Sequence, residues 1–285
     1  MTPSTGTDLT VRWCASRFTR VTGLLGVLQW RWVLLVVSAA MLLAACGQQP
    51  VDVSATADYP PIIVEPAPVA PDVWQRRGEI VTESPFTDID PALSGAARRA
   101  LRATYHSTSA TTGQQTNVTG AFFIPNGVPP EGGWPVIALA HGTTGAGNNC
   151  GLSSEPDLRG DAPLVAGFLA GGYAVAITDY EGLGPDGQHP YLEPRTAAFN
   201  VIDSVRALRF LDPAVSSRWL AYGVSQGGQA SWAAAEFDSW YGEPLELVGA
   251  VALAPAANLV GFSELAYRRE LSRDQLLIGP LVIAG

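Results

Sequence analysis

The residues best suited by type and spacing to do chemistry are Gly223, Val224, Ser225, Gln226 and Gly227, which read G-x-S-x-G. An apolar run from Trp219 to Val224 precedes them, and an alanine-rich run from Gln226 to Phe237 follows. The first run predicts a strand and the second a helix. A strand that delivers a serine to a tight turn, with a helix leaving at once, exposes the hydroxyl. It also aims the Gln226 amide and the helix N-terminus at the carbon under attack. Small residues on either side allow strand and helix to approach closely around the strained turn. The expected chemistry is nucleophilic attack by Ser225 on a carbonyl, through a covalent intermediate. A glycine-rich turn that merely holds a serine is the plainer alternative, and the flanking pattern argues against it.

A second stretch fits the same chemistry. Pro135 to Ala140 is a continuous apolar run, as a buried parallel strand should be, and His141, Gly142, Thr143, Thr144 and Gly145 follow. In an α/β hydrolase the loop after this strand supplies a second oxyanion donor. Thr143 is the expected donor, through its amide, with Thr144 as the next candidate. His141 precedes the serine in the chain and is read as ordering the loop. Asp179 follows another buried strand, Tyr173 to Thr178, and is expected to pin the Gly182–Gly184 loop by hydrogen bonds. Glu181, Asp186, His189 and Glu193 match no metal-ligand spacing and are read as a solvated loop, so neither a metal nor a cofactor is expected.

The elements that position these pieces alternate. A short helix is predicted over Ala96 to Ala100. A hairpin is predicted from Ala103–Thr108 and Thr116–Ile124 around Thr112 and Gly113. Pro163 to Ala170 reads as helix, and Leu245 to Ala254 as the strand after the elbow helix. Ala197 to Leu211 has Val201, Val205, Leu208 and Leu211 on one face, with Asp203, Arg206 and Arg209 opposite, the pattern of an amphipathic helix. The fold class is α/β: a mostly parallel sheet with an antiparallel hairpin at its N-terminal edge.

Composition limits the function classes. All 17 basic Lys+Arg side chains are arginine. Without lysine, a Walker A phosphate loop and a Schiff-base site are excluded, so the glycines from Gly142 to Gly147 do not read as nucleotide binding. A net charge of −9 argues against a nucleic-acid partner. Residues 1–45 read as a signal segment: Arg31 precedes an apolar stretch ending in Leu43, Ala44, Ala45 and Cys46. That tetrapeptide resembles the lipobox of bacterial lipoproteins, which would make Cys46 a lipidated N-terminus and place the protein on the extracellular face of a membrane. Residues 46–73 are rich in Pro, Ala and Val and read as an extended tether. Folded sequence is expected from near Trp74, with a core over 74–257. Cys150 is then left without a partner.

Several linked motifs resemble the bacterial secretory lipase family, the lipase-A-like esterases of α/β-hydrolase fold. They are Gly132 through Gly145 with Cys150 soon after, then Asp179 to Gly184, His189 to Leu192 and the Gly223 to Gly228 elbow. The resemblance covers about Gly78 to Ala257. It implies hydrolysis of carboxylic esters, of acylglycerols or other fatty-acyl esters, with Ser225 as nucleophile. It also implies an inserted helical cap, beginning within 258–285. A serine needs a histidine base and an orienting acid, which in this fold follow it in the chain. The three histidines, His106, His141 and His189, all precede Ser225. The expectation is therefore a chain cut short before its last strands and its triad acid and base, inactive as it stands. The alternative is a complete, non-catalytic surface lipoprotein that binds an acyl ligand or a partner. The oligomeric state is open.

Overall fold

The computed structural model describes residues 67–184 and 187–284. The expected signal segment, Cys46, the first part of the tether and Asp186 lie outside the described residues. A short helix α1 (Pro71–Gln75) leads to strand β1 (Ile80–Pro85), helix α2 (Pro91–Ala96) and the long strands β2 (Ala97–Thr108) and β3 (Gln115–Pro125). Strand β4 (Trp134–Ala140), helix α3 (Ala162–Ala170), strand β5 (Ala174–Thr178) and helix α4 (Pro194–Leu211) follow. Next come strand β6 (Val215–Val224), helix α5 (Gln226–Phe237), strand β7 (Glu246–Leu253) and helices α6 (Val260–Arg268) and α7 (Arg273–Ala284).

One seven-stranded sheet has the order β1-β2-β3-β5-β4-β6-β7. The first three strands pair antiparallel, and β3 meets β5 antiparallel. Strands β5, β4, β6 and β7 run parallel. The sheet is thus the α/β arrangement expected, with the predicted hairpin at one side. Its middle strands are apolar throughout because both faces are covered. Neighbouring residues serve opposite cores: Phe122, Ala138 and Ala176 pack toward α4 and α5, while Phe123, Leu139 and Ile177 pack with α2 and α3.

The structure adds to the sequence reading in two places and corrects it in two. Ala97 to Ala100 are not helical; α2 ends at Ala96 and the chain enters β2 directly. Pairing decides this, since Ala100 lies opposite Phe123 and Leu101 opposite Phe122, and a long ladder outweighs the helix preference of alanine. Strand β1 was not foreseen, and helix α1 begins at Pro71, ahead of Trp74, with Val73 buried. In α4 the face opposite the apolar stripe is not solvated: Asp203 and Arg206 are buried, and only Arg209 of that trio is exposed. That face is covered by the turn of π-helix at Asp238–Gly242 and by Arg77 from the N-terminal segment. Asp203 is satisfied there by Arg206 Nη1 at 2.7 Å and by the hydroxyls of Ser107 and Tyr241, both at 2.8 Å.

Helix α4 starts where its sequence permits. Glu193 accepts from the amide of Thr196 at 2.7 Å and from that of Arg195 at 3.3 Å, with Pro194 opening the helix. Beyond β7, α6 has no buried residue and α7 carries Pro280 inside it. Strand β7 is the sheet's edge among the described residues, and Val248, Val251 and Leu253 on it are exposed.

Candidate active site

Strand β6 ends at Val224, α5 begins at Gln226, and Ser225 alone makes the turn, with φ 58° and ψ −118°. A side chain held in that region stores roughly 1–3 kcal/mol of backbone strain, which surrounding bonds must hold. Three do so. The Ser225 amide donates to Leu253 O at 3.0 Å, and Ser225 O accepts from the amides of Gln229 and Ala256, each at 3.0 Å. The residue is exposed, and its hydroxyl makes no hydrogen bond among the described residues.

The flanking glycines are a steric necessity. A Cβ on Gly223 would lie 2.1 Å from Gly227 O, and one on Gly227 would lie 1.8 Å from Ala140 O. Strand β6, helix α5 and the end of β4 therefore meet at backbone-to-backbone distance. Gly142 continues this contact, its Cβ position being 3.5 Å from Val224 O. The loop after β4 thus begins beside the elbow, and Thr143 Oγ1 is bonded to Tyr191 Oη at 2.8 Å. Thr144 Oγ1 is buried without a partner among the described residues.

His141 is buried under this loop. Its Nδ1 bonds Gly142 O at 2.7 Å, its ring lies 4.6 Å from that of Tyr180, and Tyr180 Oη donates to His141 O at 3.0 Å. Burial lowers its pKa. Asp179 is buried as well and gathers a neighbouring turn. It accepts from Thr119 Oγ1 at 2.6 Å, from the Ser153 amide at 2.8 Å and from the Ser153 hydroxyl.

The expectation of a solvated loop fails for His189 and Glu193. Glu193 caps α4, and His189 is buried against the elbow. His189 Nδ1 donates to Glu181 O at 2.8 Å, which leaves Nε2 to accept from Gln226 Nε2 at 2.8 Å. The carbonyl fixes the neutral tautomer. The side chain of Gln226, next to Ser225, is therefore held by a histidine from the loop before α4. Sequence reading missed this role, though His189 and Tyr191 stand in a motif it singled out. Among the described residues no group of three or more His, Cys, Asp or Glu side chains is placed to hold a metal ion.

Burial pushes the His189 pKa from 6.5 down to about 4, against the opposing pull of its bond to Glu181 O. A histidine with a depressed native pKa contributes stability that is complete above its unfolded value. That contribution is lost as pH falls through the native value. Stability should therefore drop by about 3 kcal/mol between pH 6.5 and pH 4 from this residue alone. Urea unfolding midpoints across that range would show it. His189→Gln should flatten the profile, leaving the contribution of His141, whose pKa burial also lowers.

None of the three histidines reaches Ser225 by a hydrogen bond. His106 is held by Arg76 Nη2 at 2.6 Å and Asn117 Oδ1 at 2.9 Å, and the other two are committed as described. Cys150 is a free, half-buried thiol packed against Gly145.

A strained serine between a parallel strand and a helix, inside this sheet order, defines an α/β-hydrolase fold. Comparison with known proteins agrees. The secretory lipase family model matches residues 157–272. Lipase 7 of Candida albicans is 32% identical over 110 residues, which are 38% of this chain and 25% of that protein. The ligand-bound rice cell wall degrading esterase LipA from Xanthomonas oryzae superposes with a TM-score of 0.53 and 28% identity, covering 63% of this chain and 50% of that one. Candida antarctica lipase A in its closed state shares the fold, with a TM-score of 0.52 at 17% identity over 64% of this chain and 43% of that one. The chain is thus similar to secretory lipases over those stretches. It spans about half the length of these solved relatives and a quarter of the curated one.

Proposed function

We propose that the protein is a secreted serine esterase of the lipase type, acting on fatty-acyl or other carboxylic esters. The observation that carries this reading is the geometry of Ser225, held at φ 58° between β6 and α5 with its hydroxyl open to solvent. In the reaction, Ser225 Oγ bonds to the ester carbonyl carbon and gives up its proton to a base. The alcohol leaves with that proton, and water then releases the acid from the acyl-enzyme. The amides of Gln226 and Thr143 hold the oxyanion in both steps, and two such fixed donors are worth several kcal/mol of barrier. The base is a group other than His106, His141 or His189, each of which is bonded elsewhere. On this reading Cys46 carries lipid, residues 46–73 form the tether, 74–257 form the core and 258–285 begin a cap.

Fluorophosphonate labelling tests the mechanism. Protein purified from its natural host should be labelled, and Ser225→Ala should abolish the label. Labelling that survives the substitution overturns the serine mechanism. The 285-residue chain alone should show negligible p-nitrophenyl ester turnover. Ser225-dependent turnover would refute its inactivity. A second reading, a non-catalytic lipoprotein that binds an acyl ligand, draws on the missing bond between Ser225 and any histidine. It predicts no label even in the host protein.

A further inference from the structure

A large cavity lies at the opposite end of the sheet from Ser225. It has a volume of about 780 Å³ and is bordered by Val215, which opens β6, and by Leu245, which precedes β7. Ser225 follows the other end of that 10-residue strand, so roughly 30 Å separates the two places. This cavity is no part of an acyl pocket around the serine.

Its wall combines cationic and apolar groups. Arg77, Arg206 and Arg209 line it, against one carboxylate, Glu243, which is exposed. Two of the guanidiniums are buried and crowd a single carbonyl: Arg77 Nη1 donates to Tyr241 O at 2.6 Å, and Arg206 Nη2 donates to the same oxygen. Arg206 pairs with Asp203, whereas no carboxylate forms an ion pair with Arg77 among the described residues. Arg77 Nε donates to Trp74 O at 2.8 Å. The guanidinium lies 3.6 Å from the Trp74 ring and 4.5 Å from the Tyr241 ring, which fixes its plane. Desolvation, with Arg206 adding to it, lowers the Arg77 pKa against the opposing pull of Asp203 and Tyr241. Beside it Trp74 supplies an aromatic wall, and Phe210 stands 63% exposed.

Three guanidiniums facing one exposed carboxylate favour an anion, and the apolar wall favours a hydrocarbon body. The volume falls within the range of roughly 300–1,000 Å³ typical of small-molecule sites. We propose that this cavity binds an anionic amphiphile, a carboxylate or phosphate head on an aliphatic tail. The head sits by Arg77 with Arg209 at the mouth, and the tail lies against Trp74 and Phe210. The site is independent of the esterase reading and holds whether or not Ser225 is reactive.

Calorimetric titration of the full chain with decanoate, decyl phosphate and decanol, all below their micellar concentrations, tests this. Saturable binding of at least one anion is expected, tenfold or more tighter than that of decanol. The preferred anion identifies the head group. Arg209→Glu, a change at an exposed position, should weaken anion binding by tenfold or more, and Ser225→Ala should leave it unchanged. Arg77→Gln should abolish it; urea unfolding of that variant checks that it folds, and the Arg209→Glu result stands on its own if it does not. Absence of saturable binding, equal binding of decanol, or indifference to Arg209→Glu would overturn the proposal.

Discussion

Gly227→Ala should leave the chain insoluble or lower its melting temperature by roughly 10 °C. The added methyl would sit 1.8 Å from Ala140 O, 2.5 Å from the Ala140 carbonyl carbon and 2.8 Å from His141 O. All three are backbone atoms at the end of β4, the strand lying between β5 and β6. No rotamer change relieves the contact, so α5 must move off the sheet and take the Ser225 turn with it. Overpacking by one methyl commonly costs about 1–3 kcal/mol, and a backbone clash this close belongs above that range. Gly167→Ala is the control. Gly167 is exposed within α3 and nothing lies within 4 Å of its Cβ position, so alanine there should stabilise by about 0.5–1 kcal/mol. Parallel thermal melts of the two variants make the comparison. A Gly227→Ala protein that melts within a degree or two of the parent would show that the elbow is looser than this structure has it.

Asp203→Ala should destabilise by about 3–5 kcal/mol, because it removes the one carboxylate of a buried network. Three donors lose their acceptor: Arg206 Nη1 on one oxygen, and the hydroxyls of Ser107 and Tyr241 on the other. Tyr241 in turn stacks on Phe199 with ring centroids 3.8 Å apart, and its carbonyl receives both Arg77 and Arg206. The loss should therefore loosen α4, the π-helical turn and the N-terminal segment together. A double variant, Asp203→Leu with Arg206→Met, removes the stranded charge along with its partner and should recover part of the loss. Urea unfolding of the single and double variants measures both values. If the double variant is no more stable than the single one, the penalty comes from lost packing and not from an unpaired guanidinium.

What the sequence disclosed, and what it hid, divides by range. The elbow was readable because its constraints are local: Gly223, Ser225 and Gly227 lie within five residues, and each is there for a steric reason that the spacing itself announces. Strands β4 and β5 were readable because burial on both faces leaves unbroken apolar runs. Strand β1 escaped because it is a largely exposed edge strand ending in proline, with no apolar period to betray it. Asp203 and Arg206 were misplaced for the opposite reason. Their helix has the pattern of a half-solvated one, yet residues as distant as Arg77, Ser107 and Tyr241 arrive to cover the polar side. His189 became a partner of Gln226 only through a contact across 37 positions of chain, which no local pattern records.

The bonds around Ser225 carry a consequence for motion. Two of the three that hold its backbone involve Leu253 and Ala256, at the end of β7 and just past it. The strained turn is thus latched to β7, which among the described residues has a neighbouring strand on one side only. Rim strands fray more readily than central ones. Whatever stiffens β7 would also stiffen the Ser225 turn, and whatever lets it fray would release the strain there. The rate at which the Ser225 and Ala256 amides exchange with solvent is a direct gauge of how firmly that latch is shut.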